Sequence, residues 1–119
     1  MAFKFEKLDV WRKSIAFAGE IHQMTRGFPK EELYILTSQI KRAADSISLN
    51  IAEGSTGQTN KEFSRFMGIA VRSCIEVVSC LYLAKNRNLI DQVTFDLHYQ
   101  KVTVIVKMAQ ALRRSLKCQ

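Results

Sequence analysis

Residues that break or cross-link a chain are scarce in this sequence. Proline occurs once and glycine five times in 119 residues, which leaves little room for the many turns of an all-β fold and favours long helices. The three cysteines, Cys74, Cys80 and Cys118, form no C-x-x-C pair, so the sequence indicates neither a disulfide framework nor a zinc site. The first residues also lack the apolar stretch of a signal peptide, and we expect a cytoplasmic protein.

Motifs of common active sites are missing as well. The sequence has no H-E-x-x-H, G-x-S-x-G, P-loop or G-x-G-x-x-G pattern, and no glutamate is followed by histidine at the spacing of a di-iron bundle. The two histidines, His22 and His98, fall near apolar stripes, where a single histidine is usually a core or boundary residue rather than a metal ligand. We therefore expect no enzyme activity, no metal and no cofactor.

Four segments show the apolar repeat of amphipathic helices. Their predicted bounds are 8–26, 30–53, 60–86 and 91–117, within a single domain spanning 1–119. Thr59 and Asp91 are the predicted N-caps of the third and fourth helices. Residues 102–106 are all β-branched, but polar residues keep helical spacing through them, which favours a helix. Similar helix lengths and short connections predict an all-α, antiparallel up-down-up-down four-helix bundle.

Each of the first three helices has an apolar stripe that we assign to the core. In the first helix the stripe is Leu8, Trp11, Ile15, Ala18 and His22. In the second helix it is Leu33, Leu36, Ile40, Ala43, Ala44, Ile47 and Ile51. In the third helix it is Phe63, Phe66, Met67, Ala70, Cys74, Val77 and Leu81. Cys74 and Cys80 are therefore expected to act as small hydrophobic residues.

The helices carry more apolar residues than one core requires. Those that we assign to an oligomer interface are Phe17, Ile21, Ile35, Leu49 and Val104. Exposed apolar side chains are ordinary on monomers, but an excess on several helices favours a homo-oligomer. A membrane-spanning third helix is the weaker interpretation, because Arg72 and Glu76 interrupt its apolar stretch and the other helices are amphipathic.

The sequence is strongly basic, with a formal net charge of +7 and a pI of about 9.6. This balance favours a polyanionic partner. The candidate phosphate contacts are Lys41, Arg42, Lys61, Arg65, Lys107, Arg113, Arg114 and Lys117. The alternative for each is a solvated helix face, or complementarity to the helix dipole in the last turns. Since no recognition-helix motif or aromatic stacking platform is present, binding would follow backbone charge rather than base sequence.

Several segments resemble one protein family. They are FEKLDVW at 5–11, FPKEE at 28–32, QIKRAADSI at 39–47, NIAEG at 50–54 and the third-helix segment 63–76. The sequence resembles the four-helix bundle proteins found as open reading frames in 23S ribosomal RNA intervening sequences. That family includes relatives that serve as accessory proteins of diversity-generating retroelements. One departure is Arg72, where the family pattern has glycine, so we expect altered packing there.

The resemblance implies an antiparallel four-helix bundle that assembles as a barrel-like homopentamer. For the retroelement relatives it also implies binding to nucleic acid and to a reverse transcriptase. Within the NIAEG segment we expect structural roles for Asn50, Glu53 and Gly54. Asn50 can bond backbone carbonyls left open at the helix end, and Glu53 can pair with Arg42 or Arg65 or bond loop amides.

Two hypotheses of different kinds follow. The first is a non-enzymatic, basic homo-oligomer that binds the backbone of RNA or DNA largely without regard to sequence. The alternative is a protein-interaction scaffold or accessory factor whose exposed apolar faces bind a partner such as a reverse transcriptase. Neither hypothesis involves a membrane.

Overall fold

The structure is built from α-helices. The computed structural model describes residues 2–57 and 59–117. It contains α1 (Asp9–Thr25), α2 (Ser38–Ser55), α3 (Asn60–Asn86) and α4 (Gln92–Lys117), and no strand occurs among the described residues. α3 packs against both α2 and α4, α1 packs against α2, and α1 meets α4 along a shorter contact. The prediction of an all-α fold with four helices is confirmed.

For three of the helices, the observed bounds agree closely with the bounds predicted from the sequence, and the two predicted N-caps lie on these helices. The predicted bounds agree with the structure at α3 and lie within one residue of it at α1 and α4. The Glu62 amide donates to Thr59 Oγ1 at 3.1 Å, and the Thr94 amide donates to Asp91 Oδ1 at 2.8 Å. Both predicted N-caps are therefore present. The Thr94 amide also lowers the pKa of Asp91, because it stabilises the charged carboxylate.

The second predicted helix is interrupted near its start. Lys30–Glu32 form a 3₁₀ turn, Leu33–Thr37 form a π-helical turn, and α2 follows at Ser38–Ser55 rather than over 30–53. A π-helical turn holds more residues than an α-helical turn. The wider turn rotates Leu33 away from the buried face of α2. Leu33 is exposed, whereas the rest of the predicted stripe is buried. The assignment of Leu33 to the core is therefore wrong.

The buried face of α1 also differs from the predicted one. Its buried residues are Val10, Ser14, Phe17, Ala18, Ile21 and Thr25, whereas Ile15 is 47% exposed. The Ser14 hydroxyl donates to the Trp11 carbonyl, and the Thr25 hydroxyl donates to the His22 carbonyl. These local hydrogen bonds allow small polar side chains to be buried. Ala18 of the predicted stripe is buried, and Leu8 and Trp11 pack against the core while partly exposed. The buried face is therefore rotated relative to the predicted one, and the assignment of Ile15 to the core is wrong.

Two predicted interface residues belong to the core of the chain itself. Phe17 is 2% exposed and Ile21 is 0% exposed. Their assignment to an oligomer interface is wrong, because α1 turns this face toward the other helices. Ile35, Leu49 and Val104 are exposed and so remain accessible to another chain.

The apolar character of α3 reflects its central position. It is the one helix among the described residues that is long and apolar enough to cross a membrane, a test that the core helix of a soluble protein also passes. Every predicted core residue of α3 is buried except Phe66, which is half-buried. The helix packs against α2 and α4, and these contacts bury its predicted core residues.

Hydrogen-bonded side chains join α2 to α3. Asn50 Nδ2 donates to the Ser46 carbonyl at 2.8 Å and to Ser46 Oγ at 2.9 Å. Ser46 Oγ lies 2.8 Å from Ser73 Oγ, which itself donates to the Ile69 carbonyl at 3.2 Å. Since Ser73 already donates within α3, Ser46 is the donor in the bond between the helices. Asn50 thus orients Ser46 toward α3, and its carbonyl partner lies inside α2 rather than at the predicted helix end.

Gly54 permits a close approach of α2 and α3. A Cβ atom at Gly54 would lie 2.6 Å from Phe66 Cβ and 3.1 Å from Phe63 Cδ1. The first distance is too short for any side chain, because Phe66 Cβ is fixed to the backbone of α3. Glu53, by contrast, is exposed, and the ion pairs of the described residues do not include it. The NIAEG segment therefore supports the fold through Asn50 and Gly54.

Replacing Gly54 with alanine should destabilise the protein by about 1–3 kcal/mol, the usual cost of overpacking a core. Gly19 is the matched control, since it also lies inside a helix but has nothing within 4 Å of its Cβ position. Gly19→Ala should stabilise the protein by about 0.5–1 kcal/mol, because alanine is the better helix former. Urea unfolding followed by circular dichroism measures both effects. A stabilising Gly54→Ala substitution would contradict the close approach.

Candidate nucleic-acid interface

The predicted phosphate contacts have no carboxylate partners among the residues that the structure describes. The ion pairs of the described residues are Asp9–Arg12, Glu32–Arg87 and Glu20–Lys101, and Asp45 is hydrogen-bonded to His22. None of these pairs contains one of the predicted cations. An unpaired cation contributes its full charge to the surrounding field, whereas an ion-paired cation is largely neutralised by its partner. All eight predicted cations are therefore available to a polyanion, although other unpaired cations such as Lys13 and Arg72 lie elsewhere on the surface.

Most of the predicted cations lie near one junction of helices. Lys61 and Lys117 line the same shallow cavity of about 250 Å³, so the start of α3 lies beside the end of α4. Arg65 follows Lys61 by about one turn of α3, and Arg114 precedes Lys117 by about one turn of α4. We define the basic end as Lys61, Arg65, Arg113, Arg114 and Lys117.

Arg113 is held more firmly than the other members of the basic end. Its guanidinium group covers Gly68 of α3, where a Cβ atom would lie 3.3 Å from Arg113 Cζ. Nη1 donates to Gln110 Oε1 at 3.1 Å, and Nε is buried with no partner among the described residues. The side chain is half-buried. Arg113 therefore packs α4 onto α3 in addition to carrying charge at the surface.

Aromatic rings support two cations of this region. Arg65 Cζ lies 4.5 Å from the centroid of the Phe66 ring, and Lys4 Nζ lies 5.0 Å from the centroid of the Phe63 ring. Such cation–π contacts position a charge without neutralising it. Sequence reasoning missed Lys4, because nothing in the local pattern places the segment before α1 against α3.

The remaining predicted contacts lie away from the basic end. Lys107 is about 15 Å from Lys117 along α4, at the rise of an α-helix. Lys41 and Arg42 lie about 20 Å before the end of α2 on the same basis, and they line cavities shared with His22 of α1. The structure therefore brings the cations at the start of α3 and the end of α4 together and separates them from Lys107 and from those of α2.

The described thiols are buried. Desolvation raises the pKa of Cys74 to about 12, and desolvation followed by the charge of Glu76 raises the pKa of Cys80 to about 11. Both groups are therefore protonated at neutral pH, and a protonated thiol is a poor nucleophile and a poor metal ligand. Cys118 lies outside the described residues. No cluster of three metal-ligating His, Cys, Asp or Glu side chains occurs in the described part of the chain.

Both histidines have hydrogen-bond partners. His98 is 6% exposed, and its Nδ1 lies 2.7 Å from the Thr94 carbonyl. His22 Nε2 lies 2.9 Å from Asp45 Oδ1. These contacts agree with the predicted roles of the two histidines as core or boundary residues.

The sequence matches the family model described as 23S rRNA-intervening sequence protein over residues 6–111. The chain belongs to this family. The matched range includes Lys61 and Arg65 of the basic end but stops before Arg113.

A crystal structure from the S23 ribosomal protein family has the same fold. That protein, of unknown function, comes from Bacteroides thetaiotaomicron and is 23% identical to this chain. The superposition covers 87% of this chain and 97% of the other, with a TM-score of 0.79. Among curated proteins, no sequence matches this chain.

Arg72, the departure from the family pattern, is exposed, so its side chain needs no space in the core.

The burial of the two thiols predicts low reactivity in the native state. A Cys118→Ser variant, which retains only Cys74 and Cys80, should react slowly with Ellman's reagent at mildly alkaline pH. The same variant should react rapidly and completely in urea, because unfolding restores ordinary thiol pKa values. Rapid reaction of either thiol in the folded protein would contradict the buried, protonated state.

Proposed function

We propose that this protein is a non-enzymatic, basic homo-oligomer that binds the phosphate backbone of RNA or DNA through its basic end. The observation that carries the proposal is the gathering of Lys61, Arg65, Arg113, Arg114 and Lys117 without any carboxylate partner among the described residues. The family description refers to 23S rRNA, which is compatible with an RNA ligand. A cytoplasmic location remains a prediction.

The residues of the basic end suit phosphate better than bases. Lys61 and Lys117 present flexible ammonium groups, which act as point charges. Arg65 presents a planar guanidinium set over an aromatic ring, which can bond two phosphate oxygens at once. The supporting rings of Phe63 and Phe66 already contact cations, so they are not open platforms for stacking. Binding of this kind depends on the number of phosphates contacted and weakens with salt.

Removing three cations of the basic end should weaken nucleic-acid binding and its dependence on salt. In a Lys61→Ala, Arg65→Ala, Lys117→Ala variant, the slope of log K against log salt should become shallower by about 2–3 units, since each phosphate contact contributes about 0.9. Fluorescence anisotropy with labelled structured RNA and duplex DNA across a salt series measures the slope.

The matched control removes the same formal charge elsewhere. Lys13, Arg72 and Lys85 lie outside the basic end and in none of the ion pairs of the described residues, so their replacement by alanine should leave most of the slope intact. Equal losses in the two triple variants would reduce the effect to net charge and exclude a localised interface.

We also propose that the helices run up-down-up-down and that copies of the chain associate, with a pentamer as the implied assembly. The order of contacts supports the first point, because Ser46 meets Ser73 whereas the later Gly54 meets the earlier Phe66. Exposure supports the second, because Leu49 is 66% and Ile35 59% exposed. A pentamer would carry 5 × 7 = +35 formal charges, which would strengthen contact with several phosphates together.

A charge placed on the exposed face of α2 should weaken self-association. Leu49→Glu should lower the mass measured by sedimentation equilibrium while leaving the circular dichroism spectrum unchanged, because a buried unpaired carboxylate opposes an apolar interface. Val93→Glu is the control, since Val93 is 75% exposed and lies outside the predicted interface. An unchanged mass in both Leu49→Glu and Ile35→Glu would contradict self-association through this face. It would favour the alternative, in which these residues bind a different protein such as a reverse transcriptase.

A further inference from the structure

Two adjoining cavities lie where α1 ends and the second helical segment begins. Their volumes are about 340 and 470 Å³, within the range of sites that hold small molecules. Both are lined by His22, Leu33, Thr37 and Lys41. We call the combined space the α1–α2 pocket.

The charge of the α1–α2 pocket is strongly positive. Arg26 and Lys30 line one cavity, Arg42 lines the other, and Lys41 lines both. None of these cations belongs to an ion pair among the described residues. Asp45 is the one carboxylate among the lining residues, and it is bonded to His22. The pocket therefore gathers four cations around a space that contains little compensating negative charge.

A buried hydroxyl without a partner adds a second, independent feature. Thr37 is 6% exposed and lines both cavities. Its Oγ1 atom has no hydrogen-bond partner among the described residues, although buried hydroxyls are normally bonded. Thr37 is also the last residue of the π-helical turn, and such turns are frequent at functional sites. Thr37 therefore brings a hydroxyl without a partner among the described residues to the wall of both cavities.

We propose that the α1–α2 pocket binds one phosphate group, as inorganic phosphate or as the phosphate of a monoester. The ammonium and guanidinium groups match its charge, and the Thr37 hydroxyl provides a neutral donor. The His22 ring forms one wall of the pocket. Its hydrogen bond to Asp45 fixes the orientation of the ring. The monoester can belong to a small molecule or to the terminal phosphate of a nucleic-acid strand.

This site is separate from the one in the proposed function. The basic end lies at the start of α3 and the end of α4, whereas the α1–α2 pocket includes the π-helical turn before α2. The cations of the basic end follow one another along the start of α3 and the end of α4, which suits consecutive phosphodiesters. The cations of the α1–α2 pocket line two adjoining cavities large enough for one phosphate group, and occupation of these cavities does not require nucleic acid.

Nuclear magnetic resonance and calorimetry test the proposal with defined probes. Inorganic phosphate and a nucleoside 5′-monophosphate should shift the imidazole signals of His22 and leave those of His98 unchanged. Thr37→Val, which removes the hydroxyl at nearly constant volume, should weaken binding by about tenfold, and Lys41→Met should weaken it at least as much, as expected for lost hydrogen bonds to a charged group. Thr103→Val and Lys13→Met are the matched controls, since Thr103 donates to the Tyr99 carbonyl on α4.

Different probes then identify the source of the phosphate. Tighter binding of a 5′-phosphorylated oligonucleotide than of its 5′-hydroxyl counterpart, lost in Thr37→Val, would assign a strand terminus. Equal affinity for phosphate and the monophosphate, without this difference, would assign a free phosphate group. The Lys61→Ala, Arg65→Ala, Lys117→Ala variant should keep phosphate affinity, so failure of the proposed function leaves this test intact. Absence of a His22 response to millimolar phosphate, or equal weakening by test and control variants, would overturn the proposal.

Discussion

The close contact between α2 and α3 is the constraint on which the rest of the structure depends. Gly54 lets the backbone of α2 lie against Phe63 and Phe66 of α3, since a Cβ atom there would come within 2.6 Å of Phe66 Cβ. Farther along the same two helices, the Ser46–Ser73 hydrogen bond sets their relative position. A residue that lacks a side chain and a pair of small hydroxyls therefore determine how the two helices meet.

The basic end is built on the α3 surface that this contact positions. The ring of Phe66 supports Arg65, and the ring of Phe63 supports Lys4. Gly68, on the next turn of α3, makes room for the guanidinium group of Arg113 from α4. Core packing and surface charge are thus connected, because the aromatic residues that meet Gly54 on one side hold cations on the other.

Charge is distributed unevenly between paired and unpaired groups. The acids that form ion pairs take Arg12, Arg87 and Lys101 as partners, and Asp45 is hydrogen-bonded to His22. None of these partners is a residue of the basic end or one of the four cations of the α1–α2 pocket. The net charge of +7 is a total for the whole chain. The positive charge per unit of surface is therefore higher at these two places than that total suggests. Net charge is a sum over the chain, whereas a polyanion responds to the cations within about one Debye length of it.

The sequence alone determined the helical fold, the bounds of three helices and the N-caps Thr59 and Asp91, because these depend on periodicity and on neighbours a few residues away. It also singled out the cations of the basic end by residue type. Only the tertiary structure decided which face of α1 is buried. Ser14 and Thr25 are polar, but their hydroxyls donate hydrogen bonds to backbone carbonyls, which offsets the free-energy cost of burying them. The grouping of cations was decided in the same way, since Lys61 and Lys117 become neighbours only when distant segments pack together.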